Sequence, residues 1–162
     1  MFAKTLPLVL LIEDSPHDID FARRALARCG VAHRLVVAEH ADEALALLTG
    51  TGLVQPDKPS VRPDLVLLDL NLPGTSGREV LRRIKSDPAL CTIPVVVLST
   101  SQHPRDIESS YQLHANSYHV KCDNSAEYQN TVQRIAEYWL GAAVRAVPRE
   151  PSGVSCPRVA GM

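Results

Sequence analysis

The sequence predicts an α/β sandwich of five successive βα units, and three observations carry that prediction. Short, continuous apolar runs recur through the first 140 residues, a longer stretch with helical periodicity follows each run, and most runs end in polar or acidic residues. Unbroken apolar runs mark strands buried on both faces, as in a parallel sheet covered by helices.

The first run, Leu8-Val9-Leu10-Leu11-Ile12, stops at Glu13-Asp14-Ser15-Pro16, where a capping Asp or Ser before proline signals a helix start. Ile19, Ala22, Leu26 and Cys29 then recur at helical spacing, and Gly30 is placed to terminate the helix. Arg34 to Ala38 reads as the second strand. Ala41 to Leu48 reads as its helix, closed by Gly50, before a Gly- and Pro-rich loop from Thr51 to Pro63. Leu65-Val66-Leu67-Leu68 is the third strand and ends at Asp69, and Ser76 to Lys85 is the third helix, with Val80, Leu81 and Ile84 on one face. Pro94 to Leu98 is a fourth strand running into Ser99-Thr100-Ser101. Asp106 to His114 reads as a short helix and Ser117 to Val120 as the fifth strand. A last helix from Asn124 or Ser125 carries Tyr128, Val132, Ile135 and Trp139 on one face.

Right-handed crossovers between these units give a flavodoxin-like, doubly wound (βα)5 sandwich, with a five-stranded parallel sheet in the order 2-1-3-4-5. In that architecture the functional crevice lies at the carboxyl ends of the strands.

Composition sets the outer limits. A chain of 162 residues suits one domain, and 45% hydrophobic with 22% charged residues is ordinary globular usage. The net charge of -1 advertises no nucleic-acid surface. Leu8 to Ile12 is too short to span a bilayer or to serve as a signal segment, so a cytoplasmic protein without membrane partners is expected. Cys29, Cys91, Cys122 and Cys156 lack metal-ligand spacing and are expected to be reduced thiols. The six histidines show no metal spacing either. Residues 1–140 form the expected domain. Residues 141–162, with Pro148, Pro151 and Pro157, form a C-terminal extension that is either a tail or an arm docking onto a partner.

The strand ends carry the chemistry. Glu13 and Asp14 end the first strand and Asp69 the third, and these strands are neighbours in the predicted order. Three carboxylates in one crevice repel unless a cation relieves them. The oxygen ligands fit Mg²⁺, with Mn²⁺ as an alternative, and the backbone carbonyl of Asn71 can add a further ligand. A carboxylate beside such an ion can accept a phosphoryl group. Ser99 and Lys121 end the fourth and fifth strands and supply a hydroxyl and an ammonium for the spreading charge.

The order Glu13-Asp14, Asp69-Leu-Asn-Leu-Pro-Gly-Thr-Ser-Gly77, Ser99 and Tyr118-His-Val-Lys121 resembles the receiver domain of two-component response regulators over residues 6–140. Asn71-Leu72-Pro73-Gly74, Gly77-Arg78-Glu79-Val80-Leu81 and Ile84-Lys85-Ser86-Asp87-Pro88 are similar to the single-domain regulators paired with bacterial and cyanobacterial phytochromes. The resemblance implies that Asp69 accepts a phosphoryl group from a sensor histidine kinase, in the narrower case a phytochrome-type kinase. It implies that Glu13, Asp14, Asp69 and the Asn71 carbonyl hold Mg²⁺, that Ser99 and Lys121 contact the phosphoryl oxygens, and that Tyr118 switches its ring inward. Such proteins catalyse their own phosphorylation and dephosphorylation but are not turnover enzymes. The usual lysine–proline step is Lys121-Cys122 here. A cis bond at that step costs about 3–4 kcal/mol, so the expectation is either a strained loop or a trans bond with Lys121 displaced.

Two rival functions differ at named positions. A Mg²⁺-dependent aspartyl-phosphate phosphohydrolase needs a second Asp where Asn71 stands, together with a cap domain. A phosphorylation-independent scaffold follows if Cys122 disables Lys121. With no output module expected, signalling falls to protein contacts. Tyr128, Tyr138 and Trp139 on the last helix are the candidate interface of a homodimer.

Overall fold

The computed structural model describes residues 5–51 and 61–147. Five parallel strands are ordered β2-β1-β3-β4-β5, as the sequence predicts. They are β1 (Leu8–Ile12), β2 (Arg34–Ala38), β3 (Leu65–Asp69), β4 (Val95–Ser99) and β5 (Ser117–Val120). The helices are α1 (Pro16–Arg28), α2 (Ala41–Thr49), α3 (Gly77–Ser86), α4 (Pro104–Gln112) and α5 (Ser125–Ala136). A π-helical segment, Glu137–Ala142, continues α5.

The alternation of side chains along each strand divides the core into two layers. Leu10, Ile12, Val66, Leu68, Val95 and Val97 face α2 and α3. Val9, Leu11, Leu65, Leu67, Val96 and Leu98 face α1 and α5. Strands β1, β3 and β4 are buried along their whole length, which accounts for their unbroken apolar runs. The edge strands β2 and β5 are only partly covered, and their sequences are correspondingly mixed.

Helix boundaries follow local chemistry. Ser15 caps α1 by accepting from Asp18 N, with Pro16 next, and Ser76 caps α3 by accepting from Glu79 N. Gly50 closes α2 at φ +66, where a side chain would be strained. Helix α4 starts at Pro104, two residues earlier than the sequence reading, because His103 caps it by accepting from Arg105 N.

A buried lysine anchors the loop between α3 and β4. Lys85 Nζ donates to the carbonyls of Cys91 (3.2 Å) and Ile93 (2.7 Å) and to Asn116 Oδ1 (2.9 Å). Asn116 Oδ1 also accepts from Val95 N, so one amide ties this lysine to the start of β4. Burial lowers the pKa of Lys85 to about 8.

Cys29 and Cys122 are free thiols, whereas Cys91 is disulfide-bonded, which corrects the expectation of four reduced cysteines. No described helix is long and apolar enough to cross a membrane. Of the 141–162 extension, residues 148–162 lie outside the described residues. The described part turns back toward the sheet. Arg145 donates to the Trp139 carbonyl (2.6 Å) and pairs with Asp64, which also accepts from Leu8 N.

Candidate functional site at the carboxyl edge of the sheet

The parallel register sets the ends of the central strands side by side. Ile12 pairs with Leu68 and Asp69 with Leu98, so Glu13, Asp69 and Ser99 emerge at the same level of the sheet. Ser99 pairs with Val120, which delivers Lys121 there as well. The positions read from the sequence as strand ends therefore do converge.

Ligand atoms of Glu13, Asp14 and Asp69 all lie within 4.8 Å of one another. Glu13 and Asp69 are buried and Asp14 is half-buried. This all-oxygen donor set with one more accessible member fits a hard divalent cation, as predicted. Asn71 is exposed, and its N–H donates to Asp69 Oδ1 at 2.9 Å, which orients the carboxylate.

Lys121 supplies the counter-charge. Its Nζ lies 2.6 Å from Glu13 Oε2, 2.8 Å from Asp18 Oδ2 and 2.9 Å from Asp69 Oδ2. Burial opposes the lysine's charge, but the carboxylates of Glu13 and Asp69 outweigh it and hold the amine protonated. Burial pushes the pKa of Glu13 up to about 7 against the pull of Lys121. Among the described residues no peptide bond is cis, so Lys121–Cys122 is trans. The expected displacement of Lys121 does not occur, because three carboxylates draw its flexible side chain into the crevice.

Ser99 is fully buried, and its Oγ accepts from Ser101 N at 3.2 Å. The Tyr118 hydroxyl donates to the Ser101 carbonyl at 2.8 Å, while Tyr118 N donates to the Tyr111 hydroxyl. One loop thus links the buried serine to the tyrosine ring. The same loop is braced by Ser101 Oγ donating to Asp106 and by an Arg78–Asp106 ion pair. Asn71 Nδ2 reaches Thr100 Oγ1 at 3.3 Å across the mouth of the crevice.

Two residues have places that sequence reasoning did not give them. Asp18 was unassigned, although an acid one turn beyond Glu13-Asp14 in the first turn of α1 was a usable signal. Tyr128 was grouped with the docking aromatics, but it is only 4% exposed and packs between α5 and the sheet. Burial takes it off any interface. Its hydroxyl has no hydrogen-bond partner among the described residues, and burial raises its pKa. Tyr138 is 57% exposed and stacks edge-on against Trp139, with ring centroids 5.2 Å apart.

An acid-lined crevice of this kind, at this edge of this sheet, places the molecule among the receiver domains of two-component signalling. The chain belongs to the response regulator receiver domain family, whose model matches residues 9–133. It is 41% identical over 133 residues to response regulator Rcp1 of Synechocystis sp. (strain ATCC 27184 / PCC 6803 / Kazusa), covering 82% of this chain and 88% of that protein. Among solved structures it is similar to the phosphorylated cyanobacterial phytochrome response regulator RcpA. That match has 44% identity and a TM-score of 0.81, and covers 88% of this chain and 100% of that one. The Mn²⁺-bound form of Rcp1 matches at 39% identity and a TM-score of 0.81, covering 87% and 99%.

Proposed function

We propose that this receiver accepts a phosphoryl group on Asp69 from a phosphohistidine of a sensor histidine kinase. The observation that carries this reading is the meeting of Glu13, Asp14, Asp69, Ser99 and Lys121 at the ends of four different strands of one sheet. In the transfer, the N–P bond of phosphohistidine breaks as an Asp69 carboxylate oxygen bonds to phosphorus. The departing imidazole retains the electron pair and takes up a proton. Glu13, Asp14, Asp69 and the Asn71 carbonyl would hold Mg²⁺ or Mn²⁺, which when bound neutralises charge on the phosphoryl oxygens. Ser99 offers its hydroxyl to one phosphoryl oxygen and Lys121 its ammonium to another. Asn71 N–H keeps the Asp69 carboxylate turned toward the crevice.

Similarity to Rcp1 and RcpA supports a phytochrome-type kinase as the donor. The chain acts as a phosphoacceptor rather than a turnover enzyme. Residues 1–140 are the receiver, and 141–162 are a C-terminal extension, either a tail or a dimer-docking arm. The exposed Tyr138 beside Trp139 supports a homodimer through the end of α5. The loop joining Ser99, Ser101 and Tyr118 supports a switch in which Ser99 moves to the phosphoryl group and the Tyr118 ring follows.

Labelling with acetyl phosphate and Mg²⁺ tests the reading. An acid-stable, base-labile phosphoryl label is expected on the parent and absent from Asp69→Asn. A parent left unlabelled both by acetyl phosphate and by phytochrome-type kinases would sink it.

A further inference from the structure

We propose that Asp18 is a positioning residue, the carboxylate that retains Lys121 when a dication enters the crevice. The proposal rests on the phosphoacceptor reading and adds to it a residue outside the metal-ligating trio.

All three N–H donors of Lys121 have a carboxylate within hydrogen-bond distance, on Glu13, Asp18 and Asp69. In this arrangement the ammonium is itself the crevice cation, because it neutralises Glu13 and Asp69 directly. Those two acids are also members of the trio whose ligand atoms lie within 4.8 Å of one another. A dication held by the trio competes with Lys121 for their oxygens and repels its charge. Two of its three partners are thereby weakened together. Asp18 lies outside that trio. It is the one carboxylate bonded to Lys121 that the dication does not claim.

The fold keeps Asp18 in place independently of the crevice. It lies in the first turn of α1, where Ser15 accepts from its N–H and Pro16 fixes the preceding backbone. The helix packs on α5, whose Tyr128 carries a buried hydroxyl. That hydroxyl has no partner among the described residues. Asp18 therefore holds Lys121 from the α1 side of the crevice.

The experiment measures Mn²⁺ affinity on the full chain from the electron paramagnetic resonance of unbound ion, alongside the melting temperature without metal. Without Asp18, the dication must leave Lys121 buried without a carboxylate of its own. Asp18→Asn is therefore expected to weaken Mn²⁺ binding about tenfold, the scale of one charge-assisted hydrogen bond, and Asp18→Glu to recover most of that loss. In a Lys121→Met background, or Lys121→Gln if the first does not fold, adding Asp18→Asn should change affinity by less than about threefold, the residue of a more distant charge. A purely structural role predicts a lower melting temperature with unchanged Mn²⁺ affinity, and that result overturns the proposal. So does a tenfold loss that persists without Lys121, since Asp18 would then act on the ion itself. If the parent takes up no Mn²⁺, the phosphoacceptor reading falls with it. If the parent binds normally and Asp18→Asn does too, only the role of Asp18 is lost.

Discussion

A Cβ placed on Gly77 would lie 2.2 Å from the carbonyl oxygen of Asp69 and 2.7 Å from Leu70 Cα. Helix α3 begins directly against the end of β3, and Gly77 N donates to the Leu70 carbonyl at 3.1 Å. The backbone that presents Asp69 is therefore fixed by a glycine eight residues later. Gly77→Ala forces backbone away from backbone and is expected to cost about 1–3 kcal/mol, the range of core overpacking. Urea unfolding measures it, and a stability equal to the parent's would show that the contact yields freely.

Tyr128→Phe is expected to leave stability unchanged or to raise it by up to about 1 kcal/mol. The change removes a buried hydroxyl that lacks a partner while keeping the ring that fills the core. A drop in melting temperature of several degrees would mean that the hydroxyl is hydrogen-bonded in solution.

Lys85 gives the fold a pH dependence whose sign can be worked out. Its pKa is near 8 in the folded protein and 10.5 when unperturbed, because burial disfavours the charge. Between those values the unfolded chain binds a proton that the native protein has released. The contribution of Lys85 to stability therefore rises with pH across that window, by up to about 1.4 kcal/mol per pH unit. Comparing unfolding free energies of the parent and Lys85→Met from pH 7.5 to 9.5 isolates this slope. A difference that is flat or falls with pH contradicts it.

Ser99 is expected to matter more for chemistry than for folding. Its hydroxyl accepts one backbone N–H in the resting protein, so Ser99→Ala should cost about 1 kcal/mol of stability. If the same hydroxyl stabilises the phosphoryl oxygens, phosphorylation by phosphoramidate should slow by roughly tenfold or more, with Ser99→Thr close to the parent. Equal rates for alanine and serine would remove Ser99 from the reaction.

The surface triad of Glu79, Arg82 and Arg83 gives a contrasting expectation. Hydrogen bonds from Arg82 and then Arg83 hold the Glu79 carboxyl at about 2, so its contribution to stability is present above the ordinary carboxylate range and lost as pH falls toward 2. Because its arginine partners are solvent-exposed, Glu79→Ala should cost no more than about 1 kcal/mol at neutral pH. A loss larger than 2 kcal/mol in the same urea assay would reveal a role beyond the helix surface.

Sequence alone determined the order of the strands and helices and which strands are covered on both faces. Uninterrupted apolar runs specified β1, β3 and β4, because a strand covered on both faces accepts a polar side chain only at its end, where the crevice opens. The strand-end acids, Ser99 and Lys121 were legible because a doubly wound sheet brings its strand termini to one edge whatever the loops do. Tertiary structure decided the matters that depend on distances between segments remote in the chain. It turned Tyr128 inward although its helical face also carries Trp139, since α5 packs on α1 and the sheet along that stripe. It seated Lys121 among three carboxylates on a trans peptide, because a long flexible side chain follows the local charge rather than the backbone step beside it. It also brought Asp18 to a lysine 103 residues away, a pairing that helical periodicity cannot register, since it arises only when α1 and the end of β5 are packed in the same crevice.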